Sequence, residues 1–280
     1  MRGRDLSSRS ERPASAGGTL TQPPLWREAR IGLEAAALVR DPVFRGDGVV
    51  DGGGRPVLLL PGFLAGDGSL ALMAGWLART GHRPSRAGMR ANVSCSGAVL
   101  PRLEQLLERL VAEQGQRAAI VGQSRGGTLA KVLARRRPEL VCGIVTLGSP
   151  QIDPLAIHTL VRLQVRAISR LGSLGVPGLF TRGCMDGDCC ASFWEDLAAP
   201  LAPDVGFVSV YSKSDGVVDW RSCLDPAATE LVEIGASHCG MAVSAPAWRE
   251  VGRALNGFRA AEARRRPAKK APARRLPRAA

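Results

Sequence analysis

The sequence predicts an α/β fold, a mostly parallel sheet flanked by helices. Three observations carry this. Pro56-Val57-Leu58-Leu59-Leu60 is a short, continuously apolar run, the pattern of a strand buried on both faces. Leu103, Leu106, Leu107, Leu110 and Val111 recur at helical spacing between Leu100 and Glu113, giving an amphipathic helix with one apolar side. Strand-like and helix-like segments then alternate toward the C-terminus, the order that builds a parallel sheet covered by helices.

Trp26 to Val39 reads as a helix that stops near Asp41-Pro42, because proline cannot continue it. Ser69 to Arg79 has helical spacing after the first strand. Arg117 to Val121 is the next strand, Ser124 to Arg136 a helix, and Leu140 to Leu147 another strand. Gly206 to Tyr211 and Glu230 to Ile234 supply two more, and Met241 to Leu255 closes the domain as a helix. The alternation breaks over residues 150–203, which hold a helix near Pro154 to Leu171 and then Gly-, Pro- and Cys-rich sequence. A long insertion in a compact domain is usually functional or disordered, and this one is expected to form a helical lid or cap.

The 280 residues are 45% hydrophobic and 22% charged, ordinary for a globular enzyme. No apolar run is long enough for a membrane-spanning helix, and the N-terminus lacks the apolar core of a secretory signal. A cytoplasmic location is therefore expected. The formal charge of +13 is concentrated at the ends: residues 263–280 carry +8 and residues 1–13 carry +2. The body is nearly neutral, which argues against a specific nucleic-acid site. Residues 1–24 are expected to be unstructured, residues 25–262 to form the domain, and residues 263–280 a disordered basic tail. Such a tail offers at most weak contact with anionic surfaces.

Seven cysteines include the cluster Cys184, Cys189 and Cys190. Its spacing matches no standard zinc pattern and no histidine lies nearby. An irregular loop with free or partly oxidised thiols is expected, with no metal and no cofactor.

The segment carrying chemistry is Gly122-Gln123-Ser124-Arg125-Gly126. It is G-x-S-x-G between an apolar strand and a helical pattern, the context that makes the motif informative. A strand turning sharply into a helix lifts the serine Oγ into the open, and glycines on either side let neighbouring backbones approach. Serine needs a base. Of His82, His158 and His238, only His238 follows the last strand and so stands at the sheet edge that carries Ser124. The orienting acid must lie between them and end a strand. Asp215 does so in Ser212-Lys213-Ser214-Asp215-Gly216, with Asp219 and Asp225 as rivals in the same loop. Two backbone N–H groups are needed for a developing oxyanion: that of Arg125, and one from Leu60-Pro61-Gly62-Phe63-Leu64, taken as Phe63 with Leu64 as the fallback.

From about Arg55 to Phe258 the sequence resembles the α/β-hydrolase superfamily, specifically bacterial lipase- and esterase-like members. LLLPGF, GQSRGG, VTLGSP, YSKSDGVV and GASHCGM carry the likeness, in that order. The resemblance implies the α/β-hydrolase fold and a carboxylic ester hydrolase working through an acyl-enzyme on Ser124 without a cofactor. A small-molecule or lipid ester is the implied substrate. Two residues depart from many relatives: Pro61 and Gln123 stand where those have histidine. A thioesterase or acyltransferase would use the same residues, and a non-catalytic binding protein would keep the scaffold. In the insertion, Leu160, Val161, Val165, Ile168 and Leu171 are expected to share a face, with Arg162, Arg166 and Arg170 on another. That helix suits lipid-like substrates or an ordinary half-buried position.

Overall fold

The computed structural model describes residues 25–186 and 188–265. The segments expected to be unstructured, 1–24 and most of 263–280, lie outside them.

Six strands form one sheet: β1 (Pro56–Leu60), β2 (Arg83–Arg86), β3 (Ala118–Gln123), β4 (Val141–Leu147), β5 (Gly206–Tyr211) and β6 (Glu230–Glu233). Their order is β2-β1-β3-β4-β5-β6 and every pairing is parallel. The helices are α1 (Ile31–Arg40), α2 (Ala71–Arg79), α3 (Ser96–Gln114), α4 (Arg125–Arg136), α5 (Thr159–Ser173), α6 (Gly183–Asp186), α7 (Ala191–Ala198) and α8 (Ala245–Arg265).

The side-chain period of two sorts each central strand between two cores. Val57, Leu59, Ala119, Val121, Val145, Leu147, Val208 and Val210 face α1, α2 and α8, where Trp76 and Trp248 are fully buried. Leu58, Leu60, Ala118, Ile120, Ile144 and Phe207 face α3, α4 and α7. Burying each of these valine, leucine, isoleucine or phenylalanine side chains stabilises the fold by about 1.5–3 kcal/mol, and each alanine by less. Phe258 of α8 lies where side chains at 143 and 206 would stand. A Cβ on Gly143 or Gly206 would come within 2.7 Å or 2.4 Å of its ring.

β1 and β5 occupy the predicted residues. β2 was not predicted: Arg-Pro-Ser-Arg has no apolar pattern, since an edge strand with exposed ends needs none. The first helix divides into a 3-10 turn, Leu25–Arg30, and α1. α8 runs to Arg265, three residues into the expected tail, and ion pairs from Arg117 to Glu262 and Arg265 to Asp204 fasten its end. Among the described residues no helix is long and apolar enough to cross a membrane.

Within 150–203, α5 differs from expectation in its inner face. Val161, Val165 and Ile168 pack inward, whereas Leu160 is 53% and Leu171 45% exposed. Gly172 sets this orientation, because the backbone of Phe180 passes so close that a Cβ there would meet its carbonyl oxygen at 2.3 Å.

Candidate active site

An all-parallel sheet places every strand's carboxyl end along one edge, and ligand sites in such sheets form there. Ser124 follows β3 on that edge, at φ 51° and ψ −124°. Strain of this kind in a non-glycine residue costs on the order of 1–3 kcal/mol. It is held in place by neighbours. The Ser124 N–H donates to the Leu147 carbonyl at 2.8 Å. Gly122 and Gly126 leave no room for a side chain: a Cβ on Gly122 would lie 2.5 Å from the Gly126 oxygen, and one on Gly126 2.1 Å from the Leu60 oxygen. The glycines of the motif are thus required by backbone proximity. Helix α4 begins at Arg125, so its positive N-terminal end lies beneath the serine.

Asp215 stands four residues beyond β5 and His238 five beyond β6. The His238 Nδ1 lies 2.7 Å from the Asp215 Oδ2. The other carboxylate oxygen of Asp215 accepts from the N–H groups of Val217 at 2.8 Å and Val218 at 2.7 Å. Burial disfavours a charged imidazole at His238, but the charge and hydrogen bond of Asp215, with the charge of Glu28, outweigh it. The pKa of His238 therefore stands above the ordinary histidine value.

The rivals of Asp215 are engaged elsewhere. Asp219 accepts from the Arg221 N–H at 3.0 Å and caps a 3-10 turn. Asp225 forms a buried ion pair with Lys131 of α4. The other histidines also have local partners: His82 lies 3.2 Å from the Thr80 hydroxyl, and His158 caps α5 by accepting from the Leu160 N–H. Among the described residues the Ser124 hydroxyl makes no hydrogen bond to a protein group. Gln123 joins the two loops: its Nε2 donates to the His238 carbonyl at 3.1 Å.

The loop after β1 stands against the serine. A Cβ on Gly62 would lie 3.3 Å from the Ser124 Cβ. Phe63 bridges Asn92 in parallel register, and the buried Asn92 Nδ2 donates to the Pro61 carbonyl at 2.8 Å. Leu64 follows at φ 61°. Leu64 and Ser124 are the non-glycine residues with positive φ among the described residues, and both lie at this edge. The Arg125 side chain, for which the sequence suggested no role, donates to the carbonyls of Asn92 at 2.9 Å and Ser94 at 2.6 Å. Its guanidinium also lies 5.6 Å from the ring centre of Phe180. Burial lowers its pKa to about 10, against the pull of Cys190, Cys95 and Cys184 nearby.

Two carboxylates from the N-terminal segment were missed by the sequence reading. Glu28 accepts from the N–H groups of Gly216 and His238, each at 3.0 Å, and of Cys239 at 2.9 Å. Glu34 accepts from the Ser237 N–H at 2.8 Å and its hydroxyl at 2.6 Å. Both lie about 200 residues away in sequence from the loops they hold, and nothing local in an amphipathic helix marks such a partner.

Residues 150–203 touch the same edge at two places. Ile157 bridges Val218, and the His158 N–H donates to the Val217 carbonyl. Further on, Phe180 is buried against Phe63, with ring centres 6.1 Å apart.

No family profile matches the chain, and no curated protein sequence matches it. Solved structures do. A soluble variant of monoglyceride lipase from Saccharomyces cerevisiae, bound to a substrate analog, superposes with TM-score 0.57 at 13% identity, covering 75% of this chain and 89% of that one. A mature lipase from Bacillus licheniformis gives TM-score 0.54 at 14% identity, covering 75% and 96%. A monoacylglycerol lipase from Paleococcus ferrophilus gives 0.52 at 13%, with the same coverages. The chain has the α/β-hydrolase fold.

Proposed function

We propose that the protein is a serine hydrolase of carboxylic esters. The observation that carries this is the 2.7 Å contact of His238 with Asp215 on the sheet edge that bears the strained Ser124. The Ser124 Oγ attacks the ester carbonyl while His238 Nε2 accepts its proton. Asp215 holds the imidazole in the tautomer that leaves Nε2 free and stabilises the imidazolium that forms. The backbone N–H groups of Arg125 and Phe63 receive the oxyanion. His238 then protonates the departing alcohol, and water activated by the same imidazole releases the acid from the acyl-enzyme. The open Ser124–His238 hydrogen bond is compatible with this order, since catalytic hydrogen bonds in ligand-free sites often tighten only with substrate.

Residues 150–203 act as a cap over this edge. Leu160, Leu163 and Leu174 are 53%, 52% and 81% exposed on α5 and at its end. An exposed apolar helix face of this kind favours an acyl chain or lipid surface over a small polar ester. The solved structures named above include lipases for monoacylglycerols, which supports the same substrate class.

A chain-length series of nitrophenyl esters, run on the wild type and on Ser124→Ala, tests this reading. Turnover in the wild type that vanishes in the variant, together with labelling of Ser124 by a fluorophosphonate, is the expected outcome. Folded wild-type protein that neither turns over any ester nor labels would leave a binding protein on a hydrolase scaffold.

A further inference from the structure

Four of the seven cysteines meet at one point. Cys95, at the N-terminal end of α3, joins Cys184 of α6 with Cys189 and Cys190, and their sulfurs all lie within 4.8 Å of one another. The separations are 3.5 Å for Cys95–Cys190, 4.0 Å for Cys95–Cys189, 3.3 Å for Cys184–Cys189 and 3.7 Å for Cys189–Cys190. A disulfide requires about 2.05 Å, and none of these pairs approaches it. Four thiolates held about 2.3 Å from one tetrahedral ion stand about 3.8 Å apart along each edge. The observed spacings scatter around that value.

We propose that Cys95, Cys184, Cys189 and Cys190 bind one tetrahedral divalent ion, zinc in class, that clamps the 150–203 insertion to the body of the domain. Sulfur ligands in tetrahedral array select zinc among the abundant divalent ions. The surroundings are those of a thiolate site. The Thr181 N–H donates to the Cys184 sulfur at 3.4 Å, and its hydroxyl lies 3.6 Å from the same atom. Such hydrogen bonds orient metal ligands and stabilise their charge. The half-buried Arg125 guanidinium stands close enough to feel Cys190, Cys95 and Cys184 electrostatically, and offsets part of the negative charge of a tetrathiolate complex. Gly97 completes the fit: a Cβ there would lie 3.1 Å from the Cys189 carbonyl, so a small residue lets that loop settle on α3.

Arg125 also connects the cluster to the serine. It follows Ser124 directly, and its side chain grips the carbonyls of Asn92 and Ser94, next to Cys95. The ion is therefore structural, fixing the ground on which the oxyanion loop and the insertion rest, and it takes no part in the ester chemistry.

The test is the metal content of the full chain, purified under reducing conditions without chelator. About one zinc per chain is expected, released in step with the reaction of four thiols with an organomercurial. Replacement by cobalt(II) should give the intense visible bands and sulfur-to-metal charge transfer of a tetrahedral thiolate complex. Cys95→Ser and Cys189→Ser should each abolish stoichiometric binding, and Cys239→Ser should retain it. Thr181→Val should weaken affinity by about 10–100-fold, as removal of a hydrogen-bond partner of a metal ligand does. Cys189 is exposed, so its replacement reports on binding even where Cys95→Ser fails to fold. Wild-type protein that retains no metal after incubation with zinc alone would overturn the proposal. So would a mass showing a disulfide among these four cysteines, or acid-labile sulfide marking an iron–sulfur cluster. None of these readouts depends on esterase activity, so this proposal and the hydrolase reading stand or fall separately.

Discussion

The carboxylate of Glu28 binds the backbone N–H of His238 at 3.0 Å, and the same oxygen binds that of Gly216. One side chain from a 3-10 turn near the N-terminus therefore spans the loops that carry the proposed base and its acid. It also adds negative charge beside the imidazole, after burial and Asp215 the next influence on it.

Glu28→Gln keeps the volume and loses the charge, and an amide supplies fewer acceptors for three N–H groups. We expect kcat for ester hydrolysis to fall about tenfold, by loosening of both loops. The acidic limb of the kcat/KM profile should move to lower pH, because one of the charges that raises the His238 pKa is gone. An unchanged limb would mean that Glu28 serves the fold alone.

His238 must be neutral to accept a proton. With its pKa above the ordinary 6.5, activity should rise through neutral pH and be lost as pH falls through that raised value. The linkage to stability has the opposite sign. A raised folded-state pKa contributes stability that is complete below the unfolded value and disappears as pH rises through the folded one. Asp215→Asn should remove this pH-dependent stability, visible as a flatter dependence of the urea midpoint on pH above the ordinary histidine value.

Asp215→Asn should also lower kcat by roughly 10³–10⁴, since an amide at that position favours the wrong imidazole tautomer. Asp219→Asn should leave kcat near wild type and cost at most about 1 kcal/mol of stability through a weakened cap. Steady-state kinetics on both variants would assign the acid; the reverse ranking would move the role to Asp219.

Lys131 and Asp225 are 2% and 5% exposed and pair only with groups inside the protein. Lys131→Met strands the carboxylate and should cost about 3–5 kcal/mol in chemical denaturation. The double replacement Lys131→Met with Asp225→Leu should recover much of that loss, because neither charge is then buried alone.

Gly126→Ala places a Cβ 2.1 Å from the Leu60 oxygen. The clash is with backbone, which cannot swing aside as a side chain does. The expected result is a drop in thermal midpoint together with loss of Ser124 labelling, as the elbow and the Phe63 loop are forced apart. Soluble, fully labelled Gly126→Ala protein would show that the close approach is not needed.

Where the sequence was informative, the information was local. β1 and β5 are continuous apolar runs bounded by turn residues, so their limits could be read directly. Ser124 was identifiable because the steric demands of the elbow require glycines two positions away on each side. The inner face of α5 was misjudged because two leucines at suitable helical spacing, Leu160 and Leu171, turn toward solvent. Hydrophobicity alone does not say which way a helix is rotated when its partner surface is unknown.

By itself the sequence determined the alternation of strands and helices, the G-x-S-x-G motif and the order in which Ser124, Asp215 and His238 follow one another. These depend on residue type and short spacing, which a chain carries with it before folding. Only the tertiary structure decided that Asp215 rather than Asp219 or Asp225 meets His238, that Glu28 and Glu34 hold the loops, and that Cys95 joins three cysteines about 90 residues away. Those are choices among chemically equivalent groups, and distance in space, set by how strands stack in the sheet, is what separates them.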